Sequence, residues 1–492
     1  MTYRDNDVIV NGVNGWNITG GTYTVKELSI TPGQDPDNLN YPGQVITMQN
    51  NRFRFRVGRS ASATVANWFN PKLSGYNDPS VNGDRTTFDH TAGQLNFAFI
   101  GDLQVTISGG DLAQPTTVKF PDVAFAQGRS GLSNNWWFGQ KMGQHTRDSD
   151  GPQQMLLIGT DSNNNTVYAS FRRGGNDVNE VSLRAFSRVA PPVDRREKVQ
   201  DVVGRFNAIP VDGTPETLSG FPITYDPITC HWQGYTQSQG SDGTPYVLLT
   251  HNVSSADYAH IVCGYRGTNE KWGFKTYLKN WRHPGGVQAI GDYLLVPNED
   301  SSQSHIAMYD LRSLKVQELR RIENFDMDLS HKAGALGITN YTDANGTEYY
   351  LLIIAHLAGS NSIYYIYRAP ASQPLPQANF SLVGSFGLSQ DFQGFGLVTG
   401  TNNKVYLIGL WSTGSAVFED YAYLYEVSTT NWGTVTLLNT RHLTSHHSGG
   451  ILGVHFRYGA GVHVNPNKEI VLVASQRNTE AGGTVNTNYW IG

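Results

Sequence analysis

Five times in the second half of the chain, a histidine or aspartate is followed three residues later by glycine. The stretches are HWQG at 231–234, HPGG at 283–286, HKAG at 331–334, DFQG at 391–394 and HSGG at 447–450. Imidazoles and carboxylates bind transition metals and move protons near neutral pH. If repetition makes the five sites equivalent, His231, His283, His331, Asp391 and His447 form a ring about one axis. Such a ring suits a divalent metal such as Zn, Fe or Mn, or a held water. It equally suits a structural role, in which each imidazole bonds backbone groups at a turn and the glycine lets the chain bend.

The elements that must position this ring are strands. The five starts lie 48 to 60 residues apart, and each opens a β-rich stretch. After His283 come VQAI, DYLLVP, HIAMYDL and SLKVQELRR, and the other repeats align on the same plan. A period of roughly 40–50 residues with four strands in each is that of a β-propeller. Residues 204–492 are therefore expected to form a five-bladed β-propeller, with the second strand of each repeat the most apolar. The last repeat lacks a fourth strand, and 202–210 (VVGRFNAIP) is expected to supply it, closing the ring and removing exposed edges.

Residues 1–188 alternate short strand-like runs with Gly/Asn/Asp/Pro clusters, which predicts a β-sandwich or jelly-roll-like domain. The whole chain is thus expected to be all-β. DSNNN at 161–165 has hairpin-turn chemistry. Trp136 and Trp137 are adjacent, so on a strand they point to opposite faces, and one of them is expected to be partly exposed. The segment 189–203 (VAPPVDRREKVQDVV) shifts abruptly to proline and alternating charge, the composition of a linker, and VDRREKVQDVVGRF at 193–206 has apolar positions three to four apart that suit a short helix or, alternatively, a closing strand.

Composition narrows the partners. Charged residues make up 16%, with 53 glycines, 25 tyrosines and a net charge of −5. No Lys/Arg run is present, which argues against nucleic acid. No signal peptide is visible at the N-terminus, and no apolar run reaches the ~18 residues of a membrane helix. The chain is expected to be soluble, with action outside a cell compatible with its composition. Cys230 and Cys263 either pair or remain buried thiols. GxSxG, Walker A, CxxC and HExxH patterns are absent.

The five-fold repeat resembles that of five-bladed propeller glycosidases, and the resemblance implies two or three carboxylates at the inner-strand starts. Here Asp391 alone occupies such a position, with Asp226, Asp292, Asp326, Asp328, Glu419 and Asp420 as further acids. The repeat also resembles that of tachylectin-type lectins, which implies sugar binding between blades. Sparse charge and abundant aromatic and amide side chains make a non-enzymatic, lectin-like carbohydrate-recognition protein the leading expectation. A defence or toxin role would suit it, with a glycan or cell-surface glycoconjugate as partner. Trp136, Trp137, Trp232 and Trp411 are then the expected sugar-stacking residues. The alternative is an enzyme, a hydrolase or metal-dependent, that uses the His/Asp ring at the channel mouth.

Overall fold

A computed structural model describes residues 154–173, 180–221, 230–241, 243–253, 258–276, 281–300, 303–358, 361–413, 418–446, 453–480 and 482–492, and before them strand segments between Val8 and Gln140. The described structure is nearly all β, as expected. The chain divides into two compact units, Met1–Pro191 with Arg312–Glu323, and Pro192–Leu311 with Asn324–Gly492.

In the first unit the strands are hydrogen-bonded into one twelve-stranded sheet. Its longest members, Asn96–Gly109 and Leu112–Gln127, pair through three register irregularities. Such bulges bend and twist a strand. The hairpin joining Gln154–Asp161 to Thr166–Arg173 turns at the expected DSNNN segment. There the Asp161 carboxylate accepts from the backbone N–H groups of Asn163 and Asn165, both at 2.9 Å, and Asn164 adopts a φ of 62°.

The second unit contains the repeats. Each begins with an inner strand: Trp232–Gln239, Gln288–Ile290, Ala335–Thr342, Gly394–Thr399 and Val454–Val464. From each inner strand an antiparallel meander runs outward. The second strands, such as Tyr293–Glu299, Glu348–His356, Val405–Ser412 and Ile470–Gln476, are buried along almost their whole length. Neighbouring sheets cover both faces, and the continuous apolar runs reflect it. Each inner strand touches the next, and the fifth touches the first, where Gly234 and Ala460 form a parallel pair.

This close convergence requires glycine. A Cβ on Gly286 would lie 2.4 Å from the Gln393 carbonyl oxygen, and one on Gly394 would lie 2.5 Å from that of Ala460. The glycine of the repeat is therefore a packing requirement at the axis. Between the inner strands sits the fully buried side chain of Gln288. Its Oε1 accepts from the Ile338 N–H at 2.7 Å and the Leu397 N–H at 3.0 Å. Its Nε2 donates to the carbonyls of Leu397 and Val462.

Closure differs from the expectation in which segment provides it. Thr214–Leu218 pairs with Val485–Ile491 and completes the last sheet. Residues 202–210 instead hold the helix α1, Val202–Ala208, with Val202, Phe206 and Ile209 buried at helical spacing and the Asp201 carboxylate capping the Gly204 N–H at 3.0 Å. The presumed linker is extended and bonded to the second unit, as in the pairing of Val199 N–H with the Thr399 carbonyl at 2.9 Å. Cys230 and Cys263 are buried, free thiols. Among the described residues no helix is long and apolar enough to cross a membrane.

Replacing Gln288 with leucine strands two buried backbone N–H groups, each costing about 1–3 kcal/mol when unsatisfied. Gln288→Leu is expected to lower unfolding stability by about 2 kcal/mol or more, read from denaturant midpoints at unchanged slope.

Candidate active site

Side chains alternate along an inner strand. His231 and Gln233 therefore face one way and Trp232 the other, and Asp391 and Gln393 are separated in the same manner by Phe392. The four polar residues open onto a cavity of about 450 Å³, also lined by His283, Trp411, Ser412, Phe456, Arg457, Tyr458 and Arg477. The cavity lies at the starts of the inner strands, where the sequence pattern pointed.

The ring that lines it has different membership from the one expected. Because Gly234 pairs with Ala460, counting back three residues from each sets Arg457 opposite His231. Arg457 thus takes the position assigned to His447, which lies outside the described residues. His331 does not line the cavity. Its ring stacks on Tyr365 at 3.9 Å and its Nε2 lies 3.1 Å from the Tyr367 hydroxyl, so it packs on its own sheet. Only His231, His283 and Asp391 come together. Among the described residues no group of three or more His, Cys, Asp or Glu side chains is placed to hold an ion. A guanidinium at one ring position also opposes a bound cation.

The electrostatics of the cavity are set by four groups. His283 Nδ1 stands 3.0 Å from Glu299 Oε1, its partner across the hairpin, leaving Nε2 as the other ring nitrogen. The Asp391 carboxylate accepts from the Ser362 hydroxyl at 2.9 Å and the Gln393 amide at 3.4 Å. Its pKa is nonetheless raised, first by burial and further by the charge of Glu299. His231 is pushed down to about 4, by burial first and then by His283, Arg477 and Arg457. It is a neutral imidazole at pH 7, in contact with the Gln233 amide at 2.8 Å. Asp420 braces the wall: buried, it accepts from the Ser412 hydroxyl and from the Phe456 N–H at 3.0 Å, and it holds His455 Nδ1 at 3.0 Å.

Of the other acids weighed from sequence, Asp292, Asp328 and Glu419 do not line the cavity. Asp292 accepts from the Val193 and Ser241 N–H groups, Asp328 contacts His305, and Glu419 accepts from the Tyr421 hydroxyl. Asp226 and the Asp326 side chain lie outside the described residues. Glu299, Arg457 and Arg477 were missed. Glu299 was within reach of hairpin counting: pairing outward from the Gly291–Asp292 turn sets His283 opposite residue 300, and one register irregularity moves it to Glu299.

Two of the four expected sugar-stacking tryptophans have described side chains. Trp232 is fully buried, edge-on to Phe221 and His251, and cannot meet a ligand. Trp411 is half-buried and lines the cavity. Trp136 and Trp137 lie in the strand Trp136–Gln140, whose side chains are outside the described residues.

No protein-family model and no curated protein matches the chain. Solved structures similar to it include a GH43_1 enzyme from Xanthomonas citri, at 10% identity and a TM-score of 0.31, covering 55% of this chain and 90% of that one. An alpha-L-arabinanase from Penicillium chrysogenum, complexed with arabinobiose, aligns at 10% identity and a TM-score of 0.29, over 70% of this chain and 92% of that one. An alpha-L-arabinofuranosidase from Clostridium thermocellum aligns at 9% identity and 0.30, over 54% and 94%. These likenesses assign no role to any residue here. They are to glycoside hydrolases, and the non-enzymatic, lectin-like expectation, with its defence or toxin extension, is corrected.

The raised pKa of Asp391 carries a sign for stability. The folded protein resists ionising this carboxyl more than the unfolded chain does, so ionisation costs stability at neutral pH and the cost disappears as pH falls through the folded pKa. Asp391→Asn, which keeps an acceptor for Ser362, is expected to raise the thermal midpoint at pH 7. Its advantage over the wild type should shrink to nothing on acidification below the ordinary carboxylate range.

Proposed function

We propose that the chain is an enzyme, a hydrolase that cleaves a carbohydrate-type linkage in the cavity at the starts of the inner strands. We also read the five meanders as the blades of a propeller whose axis this cavity opens on, and the twelve-stranded first unit as an accessory domain. The observation that carries the activity is the juxtaposition in one cavity of Asp391, a carboxyl biased towards its protonated form, with the His283–Glu299 pair. A carboxyl with raised pKa is suited to donate a proton, and an imidazole oriented by a carboxylate is suited to accept one.

In this reading Asp391 protonates the leaving-group oxygen as its bond to carbon breaks. His283 takes a proton from the water whose oxygen bonds to that carbon. Both groups then return to their starting states by proton exchange with solvent. Glu299 is a positioning residue that fixes the His283 ring. Trp411 and Tyr458 supply aromatic surface and Gln233 and Gln393 supply amides, a lining suited to a ring bearing hydroxyl groups. The neutral His231 adds a further hydrogen-bonding nitrogen without adding charge.

The test is turnover of a panel of chromogenic aryl glycosides and plant and microbial polysaccharides by the full chain. General acid–base groups contribute typically 10²–10⁴-fold. Asp391→Asn is expected to lower kcat by about that factor while KM changes little. Glu299→Gln is expected to lower kcat less and to shift the basic limb of the pH profile. Turnover that survives both substitutions unchanged would overturn the assignment.

A further inference from the structure

A second cavity, of about 520 Å³, lies at the opposite ends of the inner strands, under the charged segment 193–198. It shares no lining residue with the first. The segment crosses these ends as a strap: Val193 N–H donates to Asp292, Arg196 N–H donates to Asn340, and Val199 pairs with Thr399. Its charges are not treated alike. Arg195 is paired with Asp194 and with Glu348 at 3.2 Å, and Glu197 is paired with Lys468 at 3.2 Å. Arg196 and Lys198, which also line the cavity, have neutral partners only. The Arg196 guanidinium donates to the carbonyls of Leu397 and Ala289, and the Lys198 ammonium to the side chains of Asn403 and Thr342. Among the described residues neither has an acidic partner within salt-bridge distance.

A guanidinium taken out of water without a counter-charge is costly. Burial alone pulls Arg196 down to about 10. Beside it His463 is 7% exposed, lines the same cavity, and has no hydrogen-bond partner for Nδ1. Two cations without an acidic partner and an unsatisfied buried imidazole nitrogen therefore share one lining. That donor set is complementary to an oxyanion, which accepts several hydrogen bonds and supplies the missing negative charge.

We infer that this cavity binds the phosphate group of a small phosphate-bearing molecule, held by Arg196, Lys198 and His463. The volume exceeds that of a lone ion, so the rest of the molecule occupies the remaining space. This inference does not depend on the hydrolase proposal, since the two cavities are separate.

The experiment measures the thermal midpoint and calorimetric binding of the full chain with inorganic phosphate. Ionic strength is held constant with chloride, because excluded salts raise midpoints on their own. The midpoint is expected to climb with phosphate concentration, as mass action requires of a ligand that binds the folded state. Sulfate should compete and acetate should not. Lys198→Gln is expected to weaken phosphate binding by tenfold or more while leaving hydrolysis unchanged. Arg196→Gln, which keeps donors for the carbonyls, should abolish binding. Should Arg196→Gln fail to fold, Lys198→Gln decides. No phosphate-dependent shift beyond the chloride control, or equal affinity in Lys198→Gln, would overturn the inference. Acetate binding as well as phosphate would overturn the phosphate assignment in favour of a general anion site.

Discussion

The second unit depends on how its inner strands approach one another. Each has its outward edge paired in its own meander and its other edge turned to the axis. Backbone groups on that inner edge are buried, and a buried N–H left unpaired costs about as much as a lost hydrogen bond. Gln288 answers this with one planar carboxamide. Its oxygen takes the N–H groups of Ile338 and Leu397, and its nitrogen reaches the carbonyls of Leu397 and Val462, so one side chain ties together four inner strands including its own. The glycines let the strands come near enough for that reach. A Cβ at Gly396 would lie 2.7 Å from Gln288 Nε2.

With the middle of the axis filled, chemistry is confined to its two ends. At the starts of the inner strands, side chains of successive repeats converge on the cavity of Asp391 and His283. At the other end the 193–198 strap lies over the strands, and Arg196 extends from it to carbonyls on two of them. The same convergence gathers Asp391, His231 and His283 at one end and Arg196, Lys198 and His463 at the other. The difference comes from what the first residues of the unit place there.

The architecture was legible in the sequence to the extent that a single rule governed it. The spacing of the glycines reports strand convergence, and the apolar second strands report burial on both faces. Where two rules competed, the reading failed. HSGG at 447–450 has the letters of the repeat, but the Gly234–Ala460 pairing shows the fifth inner strand carrying RYGA at the matching place. There alanine stands where the other repeats have glycine, and arginine where they have histidine or aspartate. For VVGRFNAIP the sequence favours a closing strand and VDRREKVQDVVGRF offers a short helix, and the helix forms: its buried positions fall at helical spacing and Asp201 caps the first turn. Trp232 was taken for a ligand contact, although alternation from His231 already turned it into the sheet interface.

The site residues show a further limit that is physical in origin. Side-chain type did not distinguish His331 from His283, since both stand three residues before an axial glycine. What separates them is the partner each strand supplies. His283 faces Glu299 across its hairpin, with Nδ1 3.0 Å from Oε1, and the residue lines the cavity. His331 has two tyrosines of its own sheet within stacking and hydrogen-bonding distance, Tyr365 and Tyr367, and aromatic packing draws the ring away from the axis. A repeat therefore sets where a Cβ points, while the second and third strands decide whether the side chain continues to the axis. Asp391 follows the same logic. Ser362 and Gln393 hold it at the cavity, but burial and Glu299 still oppose its charge. The strands that place this carboxyl are thus also the ones that make its ionised form costly, and that cost is the basis on which we propose it as a proton donor.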